Sequence, residues 1–125
     1  MKHALIIEDS EIISLMIEDE LAELGFTSSA KAASQSQAIQ LAEDMCPDLI
    51  TADDRLSDGS GIAAVRHICR HEAIPVLFIT GDPKHIKDAI PDAVILEKPF
   101  THADLAHAVR LALETARIYS YVHVL

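Results

Sequence analysis

The stretch Ala4-Leu5-Ile6-Ile7-Glu8-Asp9 is four aliphatic residues followed at once by two acids. A strand-length run without polar alternation reads as a strand covered on both faces, hence as part of a parallel sheet. The same form recurs at 48–52, 75–80 and 93–96, and more weakly at 26–32. Between these runs lie stretches with helical spacing. Ser10 is the expected N-cap of a helix over 11–24, whose apolar positions are Ile12, Ile13, Leu15, Met16, Ile17, Leu21 and Leu24, with Gly25 as its stop. Ser34 or Ser36 caps a second helix running to 45, which Pro47 ends. A third is expected over 61–70, with Ile62, Val65, Ile68 and Cys69 inward. A short fourth spans 84–90, bounded by Pro83 and Pro91, and so few apolar residues anchor it that it reads as mobile. Thr101 caps a fifth over 103–118, with Leu105, Val109, Leu111 and Leu113 available to a core. Strand and helix alternating five times predict an α/β fold, a doubly wound parallel sheet with helices on both faces.

In such sheets the site lies beyond the carboxyl ends of the strands. Glu8 and Asp9 follow the first run, Asp53 and Asp54 the third, Thr80 ends the fourth, and Lys98 follows the fifth. Separations of 44, 27 and 18 residues therefore collapse to one cluster, because each segment is one strand–helix unit. Carboxylates about 4 Å apart repel by about 4 kcal/mol per pair at an effective dielectric near 20. Either one is protonated or a cation sits among them. Oxygen donors alone favour Mg²⁺, Mn²⁺ or Ca²⁺ over zinc. A carboxylate facing such a cation, with Lys98 and the Thr80 hydroxyl to hold further oxygens, is a reasonable nucleophile toward phosphorus.

Each group also has a plainer reading. Glu8 and Asp9 suit the first turn of a helix, Asp53-Asp54 an ordinary loop, Thr80 a strand end, Lys98 a solvated loop. Their joint placement at successive strand ends favours a shared site. Asp54 competes with Asp53 by adjacency, but side chains alternate at a strand end, so the two do not easily face the same pocket. His67 and His71 are four apart and could share a metal, yet further ligands are missing, and a solvent-facing surface is the expectation.

The chain has 125 residues, with 20 Asp+Glu against 10 Lys+Arg, so its net charge of −10 repels a phosphate backbone and argues against nucleic-acid binding. Its length suits one domain, 1–125. Cys46 and Cys69 form no CxxC pair and read as reduced thiols. No apolar stretch is long enough to span a membrane and the start is no signal peptide, so the expected location is cytoplasmic.

The chain from about residue 3 to 117 resembles the receiver domain of two-component response regulators. The segments that carry the resemblance are Ile6-Ile7-Glu8-Asp9, Pro47-Asp48-Leu49-Ile50-Thr51-Ala52-Asp53, Leu56-Ser57-Asp58-Gly59-Ser60-Gly61, Pro75-Val76-Leu77-Phe78-Ile79-Thr80-Gly81 and Glu97-Lys98-Pro99-Phe100. The resemblance implies a flavodoxin-like sheet of five strands in the order 2-1-3-4-5. It implies that Asp53 accepts a phosphoryl group from a sensor histidine kinase or histidine phosphotransfer protein. It implies that Glu8, Asp9, Asp53 and the main-chain carbonyl of Arg55 hold Mg²⁺, that Thr80 and Lys98 bind the phosphoryl group, and that the Lys98–Pro99 peptide is cis. The family count from Pro47 selects Asp53 over Asp54. The Phe78–Gly81 run resembles a receiver subgroup tied to general stress signalling in alphaproteobacteria.

Departures from the family pattern are also present. Ile95 occupies the position where many receivers carry a switching aromatic, and Ser57 stands where proline is usual. No effector-length segment follows residue 118, which points to a stand-alone receiver, monomeric or weakly dimeric, acting by protein contact on a downstream regulator or as a phosphate sink. Residues 119–125 read as a short apolar tail holding Tyr119 and Tyr121. A small Mg²⁺-dependent phosphohydrolase is the alternative from another class, although it expects an acid where Arg55 stands and a substrate cap for which there is no room. A degenerate receiver serving only as a binding surface is a third reading, against which the full set of acids, Thr80 and Lys98 counts.

Overall fold

The computed structural model describes residues 2–124, with side chains as far as residue 116. Strands His3–Ile7 (β1), Ser28–Ala32 (β2), Leu49–Ala52 (β3), Val76–Thr80 (β4) and Val94–Glu97 (β5) alternate with helices Glu11–Glu23 (α1), Gln35–Asp44 (α2), Gly61–Ile68 (α3), Pro83–Ala89 (α4) and His102–Val124 (α5). The strands form one parallel sheet in the order β2-β1-β3-β4-β5. The doubly wound expectation and the 2-1-3-4-5 order are what the structure contains.

Alternation along β1 builds the core. Ala4 and Ile6 point to one face, where they meet Leu49, Leu77 and Ile79 of the sheet, Ile17 and Leu21 of α1, and Leu105 and Val109 of α5. Leu5 and Ile7 point to the other, with Ile50, Ala52 and Phe78, Ala38 of α2, Ile62 and Val65 of α3, and Ile86 of α4. Both faces are therefore dry, and continuous aliphatics cost nothing in exposed apolar surface.

Caps set the helix starts. The Ser10, Ser34 and Ser60 hydroxyls accept from the amides of Ile13, Gln37 and Ala63, and the Asp82 carboxylate accepts from His85. Thr101 and Asp104 cap α5 reciprocally, each main-chain amide donating to the other side chain at 3.1 and 3.0 Å. Gly25 takes φ +101° just past α1, a left-handed stop that a Cβ would strain.

The structure corrects several sequence expectations. In α1, Ile12 and Leu15 are 75% and 44% exposed. At 3.6 residues per turn they lie about 140° and 160° around the helix from Ile17, so they fall off the buried stripe. Ser14 and Glu20, close to that stripe, are buried instead. The 84–90 segment is a formed helix, Pro83–Ala89, anchored by fully buried Ile86 and capped by Asp82. Helix α3 stops at Ile68, so His71 lies beyond it and shares no helix face with His67. Helix α5 runs to Val124 instead of ending at 118; the side chains of the expected 119–125 tail, and residue 125 itself, lie outside the described residues. Cys46 and Cys69 are unbridged. No helix among the described residues is long and apolar enough to cross a membrane.

Leu111 was expected in the core but is 46% exposed, whereas Leu105, two turns earlier, is fully buried. Leu105→Ala should therefore cost about 3 kcal/mol of stability and Leu111→Ala less than about 0.5 kcal/mol. Urea unfolding midpoints of the two variants measure the difference.

Candidate functional site

Five parallel strands end at the same edge of the sheet, and four of them lead into chemical groups there: Glu8 and Asp9 after β1, Asp53 after β3, Thr80 at the end of β4 and Lys98 after β5. The main chain fixes the register of that edge. Glu8 donates its amide to Ala32 O and Asp53 donates its own to Ile7 O, both at 2.9 Å; Lys98 donates to Thr80 O at 2.9 Å. The residue after β1 is thus tied to the end of β2, that after β3 to β1, and that after β5 to β4. Glu8, Asp53 and Thr80 are buried, Lys98 is half-buried, and Asp9 and Arg55 are exposed.

The acids expected to converge do so. One carboxylate oxygen from each of Glu8, Asp9 and Asp53 lies within 4.8 Å of the others, and this is the one such cluster of potential metal ligands among the described residues. Lys98 reaches into it from the end of β5. Its Nζ is 2.7 Å from Glu8 Oε1 and 2.8 Å from Asp53 Oδ2. The other oxygen of each acid is also held: Glu8 Oε2 accepts from the Ser10 amide at 3.0 Å, and Asp53 Oδ1 from the Asp54 amide at 2.7 Å. The peptide after Lys98 is cis.

Burial decides the electrostatics. Desolvation pushes the Glu8 carboxyl above the usual glutamate range, although hydrogen bonds from Lys98 and the Ser10 amide and the charge of Lys98 restrain the rise. Lys98 shows the opposite balance. Desolvation works against its charge, but the bonds to Asp53 and Glu8 outweigh it and hold the ammonium above its ordinary value. Three carboxylates against one ammonium leave two uncompensated negative charges and several hard oxygen donors. That donor set fits a small divalent cation such as Mg²⁺ and offers no soft ligand that would favour zinc.

Thr80 stands at the end of β4, opposite Glu97 of β5, and its Oγ1 accepts from the Asp82 amide at 3.0 Å, which leaves its proton free for another acceptor. The Arg55 side chain points away from the acids to Asp82, 3.3 Å off. Asp54 turns away from the cluster. Its Oδ1 accepts from the Ser60 hydroxyl at 2.6 Å and the Ile62 amide at 3.1 Å, and its Oδ2 is 2.6 Å from His85 Nε2. Burial opposes ionisation of Asp54, yet these bonds, Ser60 foremost, carry its carboxyl below the usual aspartate range. The two adjacent acids thus have separate environments. Gly61 closes the loop behind them. A Cβ there would lie 1.7 Å from the Asp53 carbonyl oxygen, so the head of α3 packs against the backbone of Asp53 only because residue 61 is glycine.

Sequence reasoning missed Ser10, Ser60 and His85 as parts of this region. Ser10 was legible as a cap; Ser60, which caps α3, was not singled out, and nothing in the sequence joins His85 to Asp54 across 31 positions.

A family model described as the response regulator receiver domain matches residues 4–110. The phyllosphere-induced regulator PhyR of Methylorubrum extorquens is 34% identical over 113 residues, which is 87% of this chain and 42% of that protein. The chemotaxis protein CheY of Bacillus subtilis is 29% identical over 114 residues, 87% of this chain and 95% of that protein. The solution structure of the Erythrobacter litoralis PhyR receiver domain superposes with a TM-score of 0.82 at 33% identity, covering 90% of this chain and 89% of that one. The chain spans about two fifths of the length of the first curated relatives it matches, 42% and 37%.

The Lys98 contacts have a measurable pH signature. Because the folded pKa of Glu8 is raised, the stability this group contributes is complete below its unfolded value and is lost as pH rises through the folded one. Lys98→Met removes the bond and charge that limit that rise. The variant should be about 3 kcal/mol less stable than the parent at pH 7, and the gap should narrow as acid protonates Glu8. Urea unfolding of both proteins between pH 4 and pH 7, as a rough range, checks it.

Proposed function

Because the chain belongs to the response regulator receiver family, we propose that it is a signalling module whose chemistry is its own phosphorylation, with Asp53 as the acceptor. The observation that carries this reading is the Lys98 ammonium seated on Asp53 and Glu8 within a three-carboxylate cluster. Receiver domains bind Mg²⁺ at an acidic pocket, and the Glu8, Asp9 and Asp53 carboxylates are the side chains that would hold it here, with the Arg55 carbonyl as a further donor. Bound there, the cation would neutralise charge on the phosphoryl oxygens.

The residues of the chain do the rest. An Asp53 carboxylate oxygen attacks phosphorus, forming a P–O bond as the P–N bond of a phosphohistidine donor breaks. The donor imidazole keeps the electron pair and takes up a proton. Lys98 follows the charge from the carboxylate to the phosphoryl oxygens, and the Thr80 proton is available to another of them. Product and reactant are both anionic at this edge, so a fixed ammonium serves both. The donor is a sensor histidine kinase or a histidine phosphotransfer protein. The likeness to PhyR supports the stress-signalling subgroup that the Phe78–Gly81 run suggested, and the near-complete overlap with CheY supports a receiver of residues 1–125 that acts by contact with a downstream regulatory protein or as a phosphate sink.

Incubation of the full chain with acetyl phosphate and Mg²⁺ should add one phosphoryl group to its intact mass, and removal of Mg²⁺ by a chelator should suppress the gain. Asp53→Asn should show none. Labelling that persists in Asp53→Asn, or a parent chain that never labels, would overturn the assignment.

A further inference from the structure

Asp54 and His85 take no part in the chemistry described so far, yet they sit directly behind it. The Asp54 main-chain amide donates to Asp53 Oδ1 at 2.7 Å, so the direction of that N–H sets the direction of the Asp53 carboxylate. The Asp54 residue is in turn fixed on every side. Its carbonyl accepts from the Gly61 amide at 2.9 Å, its Oδ1 from Ser60 and Ile62, and its Oδ2 meets His85 Nε2. Ser60, Gly61 and Ile62 are the head of α3. His85 is in the first turn of α4, where its own amide donates to Asp82 Oδ1 at 3.3 Å, and the Asp82 amide reaches Thr80 Oγ1. One side chain therefore ties two helices to the residue next to Asp53.

We propose that Asp54 is a positioning residue for Asp53, aiming its carboxylate through the Asp54 amide, and that His85 is the strut by which helix α4 holds Asp54 in place; this deepens the reading of Asp53 as the phosphoryl acceptor and rests on it. Two independent features carry the inference. Among the described residues the Asp53 oxygens have one hydrogen bond each, from the Asp54 amide and from Lys98, so loosening the first leaves the carboxylate pinned at one oxygen. The loop from 53 to 61 also has no slack, because α3 begins in contact with the Asp53 backbone at Gly61. A shift of Asp54 is passed to Asp53, and an attacking group displaced by a fraction of an ångström reacts more slowly. His85 is half-exposed, with 52% of its side chain open to solvent, so the fold gains little from it and its removal reads out position rather than stability.

The test uses the full chain as His85→Ala, His85→Gln and Asp54→Asn. His85→Ala should accept phosphoryl groups from acetyl phosphate and Mg²⁺ about tenfold more slowly than the parent, the order of effect of displacing an attacking group by a fraction of an ångström, at a nearly unchanged melting temperature. The Asp54 amide proton, shifted downfield by its short bond to a carboxylate, should move upfield in the same variant. His85→Gln keeps an N–H near the place of Nε2 and should restore both the rate and the resonance. Asp54→Asn, which keeps the shape and removes the charge, should slow loading while the Ser60 and Ile62 contacts hold its fold. Parent-like rate and resonance in His85→Ala, with Asp53→Asn blank, would overturn this proposal alone. A parent chain that takes up no phosphoryl group would overturn the acceptor assignment and this proposal together.

Discussion

An ammonium held between two buried carboxylates is the contact on which this edge of the molecule turns. Lys98 stands 2.7 Å from Glu8 and 2.8 Å from Asp53, with Asp9 completing a cluster of three acids. Without a cation, such a cluster would be relieved only by protonation, since like charges at this separation in a partly desolvated setting repel by several kcal/mol. Lys98 removes part of that repulsion and leaves two negative charges over. The cluster therefore keeps an excess of carboxylates and hard oxygen donors of the kind that suit a small divalent cation.

The rest of the fold serves to bring those groups together and hold them. A parallel sheet is the arrangement in which every strand points its carboxyl end to the same edge, and right-handed crossovers return the chain to the opposite edge each time. The double-faced core makes that sheet rigid. Leu5 and Ile7 pack one way, Ala4 and Ile6 the other, so Glu8 follows from a strand that cannot slip by one residue without exchanging its two faces. The same logic fixes Asp53 after β3 and Lys98 after β5, each tied by a main-chain bond to the neighbouring strand.

Adjacent acids with opposite tasks illustrate how local geometry separates identical chemistry. Asp53 meets a lysine, a main-chain amide and two other carboxylates. Asp54, one peptide away, is saturated by the Ser60 hydroxyl, the Ile62 amide and His85, which favour its ionised form against the cost of burial. Asp53 Oδ2 faces the Lys98 ammonium within the cluster, whereas both Asp54 oxygens are engaged by the head of α3 and by His85. Ile95, standing where many receivers carry a switching aromatic, packs with the core on the side of α3 and α4, so contacts at the head of α4 are the visible link between this edge and that helix.

The sequence by itself determined the strand and helix order, the parallel sheet, the capping serines, and the gathering of Glu8, Asp9, Asp53 and Lys98, with Thr80 at the end of β4. Those features follow from one-dimensional signals: unbroken aliphatic runs, acids or lysine at their ends, and serine or threonine before amphipathic stretches. It was less informative about α1, where seven apolar positions exceed the one stripe a helix can bury, and the spacing alone does not show that Ile12 and Leu15 stay exposed. The short α4 was expected, but its anchor, the fully buried Ile86, was not singled out, because composition cannot reveal depth of burial. Only the tertiary structure decided that Lys98 pairs with both Glu8 and Asp53, and that Asp54 turns to Ser60, Ile62 and His85. Such contacts join residues 31 to 90 positions apart, and their existence depends on the angle at which helices and loops pack over the sheet, a quantity that no local pattern of residues encodes.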